Sequence, residues 1–228
     1  MAVRTFTYNS QLYTVLQNIS DPSTEGCIRE IIHRNEYRLE QFINIESGTF
    51  IDVGANCGIA TIILAKQNPT SVVYSFEPDI NVFKVLEVNI KLNNLSNVIL
   101  FNKAMCRKET KMIELCLHPN YSGGNTTCAE KTVFGKNTIV ECVSFDEIID
   151  TYKIAKIDLL KIDCEGAEYE ILYESDYLKK RIVKAIVGEF HNLSYNKKIT
   201  NINYNANNLI EYCKLYIDEI LPITILNI

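Results

Sequence analysis

The sequence has no Cys-X-X-Cys pair, no apolar run of the roughly 18 residues that a membrane span requires, and no excess of basic residues. The spacing of its eight cysteines excludes a zinc ribbon and a thioredoxin-like motif. The 23 Lys and Arg against 28 Asp and Glu give a net charge of -5, which opposes tight nucleic-acid binding because that needs clustered cations. The first residues lack the basic and apolar regions of a secretion signal. We therefore expect a cytoplasmic protein with neither membrane nor nucleic acid as a partner.

The length of 228 residues predicts a single domain, because domains run to about 100–200 residues. Hydrophobic residues make up 47% of the chain, which suffices for a full core. Residues 1–48 carry apolar positions at helical spacing, so we predict an N-terminal helical segment packed on the core. Residues 49–228 form the main domain.

From residue 49 onward, short β-branched runs alternate with helical stretches. This alternation is typical of a parallel sheet covered by helices on both faces, so we predict a Rossmann-like three-layer α/β sandwich. The predicted strands cover residues 49–53, 71–76, 97–101, 112–117, 138–143, 158–162 and 182–187, and the predicted helices 59–67, 80–92 and 167–178. We also predict loops over 118–137 and 201–208, and two further strands around Pro222 within 215–228.

A glycine-containing turn, D-V-G-A-N-C-G, follows the first strand of this sheet. Glycines at a strand-to-helix turn let the backbone approach a ligand closely. The turn is not the GxGxxG of dinucleotide-binding folds, and its leading acid would repel a pyrophosphate. An acid at that place suits a cofactor with an ammonium group, which suggests S-adenosyl-L-methionine. The residues expected to contact it here are Asp52, Gly54, Ala55, Asn56 and Gly58.

The second and third strands end in polar residues that suit the adenosine half of such a cofactor. Glu77 and Pro78 follow the second strand, and Glu77 lies 23 residues after Gly54. An acid about 20 residues after the glycine loop accepts hydrogen bonds from ribose hydroxyls in nucleotide-binding folds. By position alone, we expect Asn102 and Ala104, after the third strand, to meet the adenine edge.

Carboxylates and a histidine follow two later strands. Asp163 and Glu165 follow the apolar strand at 158–162, and Glu189 and His191 follow the next strand, predicted at 182–187. We expect all four to face the same crevice as the glycine turn, because the carboxyl ends of parallel strands share one edge. His191 beside a carboxylate predicts a general base for a substrate hydroxyl. The sequence equally allows Asp163, Glu189 and His191 to hold a divalent metal that lowers the hydroxyl pKa.

In order and spacing, D-V-G-A-N-x-G, E-P, K-I-D-x-E-G-A-E and E-F-H resemble the FkbM family of S-adenosylmethionine-dependent methyltransferases, over about residues 49–192. The resemblance implies a class I methyltransferase fold, with seven strands that are parallel except for the last. It implies methyl transfer to oxygen on a small-molecule acceptor, a sugar or natural-product hydroxyl. By position, Asp52, Gly54, Asn56 and Gly58 would line the methionine part of the cofactor and Glu77 the ribose. Asp163, Glu165 and His191 would lie where the acceptor meets the methyl group.

Three other functions share parts of this pattern. An N-methyltransferase acting on a protein or nucleotide would share the cofactor half, but the Asn/Asp-Pro-Pro-Tyr/Phe tetrapeptide is absent from the sequence. A nicotinamide oxidoreductase is disfavoured by Asp52. A non-catalytic adenosyl-ligand binding protein on the same fold stays open. The polar loop 118–127 suits a segment that closes over a polyol, and equally an ordinary solvated loop.

Overall fold

A six-stranded parallel sheet forms the centre of the protein, whose computed structural model describes residues 1–128, 136–193 and 204–227. The strands in these ranges are β1 (Ala2–Tyr8), β2 (Gln11–Gln17), β3 (Thr49–Val53), β4 (Val72–Phe76), β5 (Val98–Phe101), β6 (Ala104–Cys106), β7 (Met112–Leu117), β8 (Lys136–Ser144), β9 (Leu159–Ile162), β10 (Ala185–Asn192) and β11 (Glu219–Asn227). The α-helices are α1 (Ser23–Ile28), α2 (Ile59–Gln67), α3 (Ile80–Leu92), α4 (Phe145–Tyr152), α5 (Glu168–Tyr173), α6 (Asp176–Lys179) and α7 (Ala206–Lys214).

The order of the central strands is β11-β10-β9-β3-β4-β5, and each neighbouring pair is parallel. Starting from β3, the chain first adds β4 and β5 on one side of the sheet and later adds β9, β10 and β11 on the other side. The strand order therefore reverses between β3 and β9. In open α/β sheets, ligands bind at the carboxyl ends of the strands at such a reversal.

Successive side chains of the buried strands point to opposite faces of the sheet, and each face carries its own core. Ile51, Tyr74 and Leu160 belong to the core beneath α4 to α7. Phe50 and Val73 belong to the core beneath α1 to α3. The predicted three-layer sandwich is thus confirmed, and helices α2 and α3 have the predicted bounds.

The prediction of a seventh strand and an antiparallel last strand is wrong for the described residues. Residues 219–227 form one strand, β11, which runs parallel to β10 because α7 carries the chain back across the sheet before β11 begins. Pro222 interrupts this strand without ending it, because the pairing register shifts between Ile186 and Gly188 on β10, opposite the proline.

The N-terminal helical prediction fails over residues 1–17, which form an antiparallel hairpin of β1 and β2. A two-residue turn at Asn9 and Ser10 joins the strands, and both residues have positive φ, as such turns require. Tyr13 and Val15 of β2 are buried in the core beneath α1 to α3. Burial alternates along β1, where Thr5 and Thr7 are exposed on either side of Phe6, and this period of two is the signal that the helical interpretation missed.

Helix α3 fastens this hairpin to the sheet through two asparagines one turn apart. Asn89 accepts the backbone N–H of Leu16 at 2.6 Å and donates to the carbonyl oxygen of Cys57 at 2.7 Å. Asn93 accepts the backbone N–H of Thr14 at 3.1 Å and donates to its carbonyl oxygen at 2.7 Å. The two amides therefore take the place of a neighbouring strand along β2.

Three local predictions need correction. The helix expected over 167–178 is divided into α5 and α6, because Ser175 caps α6 by accepting the N–H of Leu178. Helix α4, capped by Ser144, was not predicted. The loop expected over 201–208 gives way to α7 from Ala206 onward, and residues 201–203 lie outside the described ranges.

Candidate active site

A cavity of about 510 Å³ opens at the carboxyl ends of β3, β4, β9 and β10, next to the reversal of strand order. This volume lies within the range of about 300–1,000 Å³ typical of small-molecule sites. Its wall combines apolar side chains with acids. The acids are Glu30, Glu36, Glu77, Asp163, Glu165 and Glu189, the cations are Arg29, Arg34, Lys103 and Lys161, and the apolar residues include Val53, Ala55, Phe76, Met105 and Leu115.

The glycine turn between β3 and α2 forms one side of this cavity through Gly54, Ala55 and Asn56. Gly54 has φ +74°, and a Cβ atom there would lie 1.8 Å from the carbonyl oxygen of Asp163. Only glycine lets the ends of β3 and β9 approach this closely. Gly58 does not line the cavity. Its φ is +88°, and the absence of a Cβ atom leaves room for the side chain of Leu86 of α3.

Asp52 lies beneath the turn, and its carboxylate does not face the cavity. It accepts a hydrogen bond from the Thr61 hydroxyl at 2.6 Å, and its other oxygen lies 3.2 Å from the Lys161 ammonium. Both charged partners are buried, so each compensates the other's desolvation. Asp52 is therefore not part of the cavity wall, since its carboxylate lies behind the lining residue Lys161.

Glu77, directly after β4, lines the cavity as expected, together with Pro78. Its two carboxylate oxygens accept backbone N–H groups, one from Asn56 at 3.0 Å and one from Asp79 at 2.8 Å. Burial raises the pKa of Glu77 to about 8, against the lowering effect of these hydrogen bonds. The carboxyl group is thereby held at a fixed position beside the glycine turn.

Of the two residues expected at the adenine edge, only one lies in the cavity wall. Ala104 lines the cavity. The side-chain amide of Asn102 instead donates to the carbonyl oxygens of Glu77 and Pro78, at 2.9 and 3.0 Å. Asn102 thus braces the turn that carries Glu77 and is not part of the wall.

The four residues predicted at the ends of β9 and β10 do come together. Nε2 of His191 lies 3.5 Å from a carboxylate oxygen of Glu165 and 3.9 Å from one of Glu189. One oxygen or nitrogen from each of Asp163, Glu189 and His191 falls within 4.8 Å of the others. The three carboxylates line the cavity, whereas the His191 ring is fully buried behind them.

The surroundings of His191 oppose the predicted role as general base. Burial alone would lower its pKa, but a 3.0 Å hydrogen bond between Nδ1 and Glu168 and the neighbouring acids outweigh burial and raise the pKa to about 10. An imidazole with this pKa holds its proton at neutral pH and cannot accept another. Burial also raises the pKa of Glu165 and of Glu189 to about 8.

The family profile described as the Methyltransferase FkbM domain matches residues 52–220. The chain belongs to the FkbM methyltransferase family. This match confirms the resemblance seen in the sequence, and it includes every strand of the central sheet from β4 to β10 and most of the cavity's acids. The class I methyltransferase fold is present with six central strands.

Two fungal proteins show how this FkbM domain relates to known methyltransferases. The chain is 26% identical over 140 residues to Methyltransferase 1 of Beauveria bassiana, which covers 54% of this chain and 56% of the relative. It is 26% identical over 175 residues to Methyltransferase sdnD of Sordaria araneosa, which covers 64% of this chain and 68% of the relative. The aligned region thus spans little more than half of the first relative and about two thirds of the second.

Among solved structures, M. jannaschii TYW2 in complex with AdoMet resembles part of the FkbM domain, with a TM-score of 0.29 and 22% identity. The likeness covers 43% of this chain and 42% of that chain. Such a partial likeness says nothing about what this chain methylates. Among the described residues, no helix has both the length and the apolar character needed to cross a bilayer.

The sequence did not reveal several residues that complete the site of this FkbM domain. Tyr37 donates its hydroxyl to Asp163 at 3.0 Å, although it comes from the N-terminal segment outside the family match. Lys161 neutralises Asp52 within the apolar strand β9. Glu168, the last acid of the K-I-D-x-E-G-A-E stretch, is hydrogen-bonded to His191 at 3.0 Å. The lysine in an otherwise apolar run was the one available signal, because a buried cation needs an acid nearby.

The polar loop after β7 forms the outer rim of the cavity through Tyr121, Ser122, Gly123, Asn125 and Thr127. The backbone N–H of Ser122 donates to the Asp21 carboxylate, and that of Gly123 donates to the Ser23 hydroxyl at 2.8 Å. The rim is therefore tied to the start of α1. Residues 129–135 of the predicted loop lie outside the described ranges.

Proposed function

We propose that the protein is an S-adenosylmethionine-dependent methyltransferase that methylates a hydroxyl oxygen of a sugar, small polyol or natural product. The observation that carries the proposal is that Glu77 and the carboxylates of Asp163, Glu165 and Glu189 line one cavity at the reversal of strand order. Membership of the FkbM family supports the reaction class. The acceptor class rests on the chemistry of the wall.

The chemical groups that line the cavity fit this cofactor. Glu77 is fixed by two backbone N–H groups, and each of its oxygens keeps a lone pair for a ribose hydroxyl. The apolar part of the wall suits adenine and the thioether chain. Glu30, Asp163, Glu165 and Glu189 suit the positive charges of the ammonium and sulfonium groups.

S-adenosylmethionine supplies a methyl group already activated by the sulfonium charge, so the chain has to align an acceptor oxygen and take up its proton. Alignment of reacting groups contributes on the order of 7–11 kcal/mol in the best cases. Glu165 lines the cavity whereas His191 is buried behind it, so in its ionised form Glu165 is the group placed to accept the hydroxyl proton at an Oε atom. His191 lies behind Glu165, with Nε2 at 3.5 Å from its carboxylate. We therefore assign the base to Glu165.

Calorimetry with S-adenosylhomocysteine, S-adenosylmethionine and NAD tests the cofactor assignment. We expect both adenosyl sulfur compounds to bind and NAD not to bind. Replacing one acceptor oxygen by an amide N–H₂ leaves a ribose hydroxyl or a backbone N–H without its partner at a cost of about 1–3 kcal/mol, so Glu77→Gln should bind S-adenosylhomocysteine roughly 10- to 100-fold more weakly. Glu46→Gln, the same change on an exposed residue, should bind like the wild type. No binding of S-adenosylhomocysteine to the wild type would refute the proposal.

Methyl transfer from S-adenosyl-[methyl-³H]methionine tests the acceptor class. The acceptors compared are a panel of sugars and hydroxylated natural products, a protein extract and tRNA. We expect label on the small hydroxyl compounds, and a rate at saturating cofactor lowered about 10²- to 10⁴-fold in Glu165→Gln. Label on protein or tRNA alone would favour an N-methyltransferase, and binding without any transfer would favour a non-catalytic binding protein.

A further inference from the structure

We propose that Asp163, Glu189 and His191 bind one divalent transition-metal cation, and that Mn²⁺ fills the site when it is the only such ion supplied. Their ligand atoms lie within 4.8 Å of one another. Two atoms bound to one ion at about 2.0–2.6 Å can stand up to about 5 Å apart, so the measured spacing admits a single shared ion. Asp163 and Glu189 line the cavity, which gives an ion a route to this position.

The orientation of His191 is that of a metal ligand. Its Nδ1 is hydrogen-bonded to Oε1 of Glu168 at 3.0 Å, and that same oxygen accepts the backbone N–H groups of Cys164 and Gly166. The ring is therefore held in one orientation by a buried carboxylate, as in the carboxylate–histidine–metal arrangement of metalloproteins.

The other ring nitrogen is a buried polar atom without a hydrogen-bond partner. Nε2 of His191 is fully buried and makes no hydrogen bond, although it is directed toward Glu165 and Glu189 at 3.5 and 3.9 Å. Buried nitrogen atoms rarely lack a partner. An ion between Nε2 and the carboxylates would be that partner. It would take the place of a proton on Nε2, because a nitrogen that binds a metal is deprotonated.

The charge around this position also favours a cation. Four carboxylates surround one imidazole, namely Asp163, Glu165, Glu168 and Glu189. Lys161 reaches Asp163 only at 3.9 Å and lies closer to the buried Asp52, at 3.2 Å. A dication offsets this negative charge more completely than a single proton does.

Two carboxylates and one imidazole form a mixed oxygen and nitrogen donor set. Mg²⁺ prefers oxygen ligands alone, whereas transition-metal ions such as Mn²⁺ and Zn²⁺ bind carboxylate and imidazole together. An ion at this point would stand beside the acceptor end of the cavity and lower the pKa of a bound hydroxyl. This catalytic consequence rests on the proposed function, whereas the binding of the ion does not.

The test is a titration of the metal-free full chain with Mn²⁺ alone, followed by electron paramagnetic resonance. We expect one Mn²⁺ bound per chain, with spin-echo modulation from a directly coordinated imidazole nitrogen. Mg²⁺ and Zn²⁺ are added as competitors in separate arms. Displacement of Mn²⁺ by equimolar Mg²⁺ would overturn the choice of ion.

Variants distinguish a defined metal site from a general attraction of Mn²⁺ to the acids of the cavity. We expect Asp163→Asn and His191→Gln to abolish stoichiometric binding, and Glu168→Gln to weaken it about 10- to 100-fold by releasing the ring. Glu30→Gln is the matched control, because Glu30 lines the same cavity outside the three proposed ligands. It should keep the wild-type affinity. Circular dichroism of each variant checks that it is folded.

Three results would overturn the site: no stoichiometric Mn²⁺ binding by the wild type, equal weakening in Glu30→Gln and Asp163→Asn, or bound Mn²⁺ without nitrogen modulation. S-adenosylhomocysteine binding is measured on the same samples without metal. Normal Mn²⁺ binding with no S-adenosylhomocysteine binding would refute the proposed function and leave the metal site standing. The reverse result would refute the metal site alone.

Discussion

Gly54 is the residue at which the backbone of the site tolerates least change. A Cβ atom would lie 1.8 Å from the backbone oxygen of Asp163, which cannot move aside as a flexible side chain would, and φ is +74°. We expect Gly54→Ala to lower the free energy of unfolding by at least about 1–3 kcal/mol, because strain and overpacking add. Urea denaturation followed by circular dichroism measures the change.

Gly26→Ala is the control for this substitution. Gly26 lies in α1, and a Cβ atom there would meet only a Glu30 side-chain oxygen at 3.8 Å. Replacing a helical glycine by alanine stabilises by about 0.5–1 kcal/mol. If Gly54→Ala were as stable as Gly26→Ala, the close approach of β3 and β9 would not constrain this position.

Glu77 predicts a pH dependence of stability. Its pKa is raised by burial from an ordinary 4.5 to about 8, so the folded protein holds this proton more tightly than the unfolded chain does. The resulting stabilisation is full below pH 4.5 and is lost as the pH rises through about 8. The unfolding free energy of the wild type, measured relative to that of Glu77→Gln, should therefore fall from pH 6 to pH 9. Urea denaturation of both proteins at each pH measures it, and a constant difference would contradict the raised pKa.

How well single site residues could be predicted depended on the direction of their side chains. Asp163, Glu165, Glu189 and His191 were brought together as predicted, because the carboxyl ends of adjacent parallel strands meet at one edge. Asp52 was not, because its carboxylate lies behind the cavity wall. No sequence pattern indicated Tyr37, because its contact with Asp163 joins residues 126 positions apart in the chain.

At the scale of elements, the attachment of the β1–β2 hairpin depends on α3. Asn89→Ala would leave the N–H of Leu16 and the carbonyl oxygen of Cys57 without their partner. We expect a loss of about 1–3 kcal/mol in unfolding free energy, since an unsatisfied buried polar group bears its desolvation cost. Amide hydrogen exchange at Leu16 should become faster.

Asn81→Ala is the matched control, because Asn81 is an exposed asparagine of the same helix. It should stay within about 0.5 kcal/mol of the wild type, as surface substitutions usually do. Equal exchange at Leu16 in the wild type and in Asn89→Ala would show that the strand pairing alone holds the hairpin.

Elements defined by their local sequence were predicted well, and those defined by distant contacts were not. Strand β3 and helices α2 and α3 have the predicted bounds, because β3 and α2 are continuous buried runs on either side of the glycine turn and the buried residues of α3 recur at helical spacing. The hairpin was missed because its short alternating strands also satisfy a helical spacing. The direction of β11 depends on α7, whose start the asparagine-rich stretch concealed.

At the scale of the whole molecule, the acidity of the chain is concentrated in part at the cavity. Six acids and four cations line it, and Asp52 and Glu168 lie just behind its wall. Part of the net charge of -5 is therefore found at this site. Pro22 to Tyr37 supply another part of the wall, although they precede the matched family region. The wall at the strand ends was thus readable from the sequence, whereas the wall from the N-terminal segment was not.

The proline inside β11 also affects how molecules meet one another. β11 is an outer strand of the central sheet, nine residues long and rich in isoleucine and leucine. Open strands of this kind are templates for pairing with a second chain and hence for aggregation. Pro222 offers no N–H donor, and the register shift beside it bends the strand away from a straight ladder. The irregularity that replaced the predicted pair of strands therefore protects the sheet edge from intermolecular strand addition.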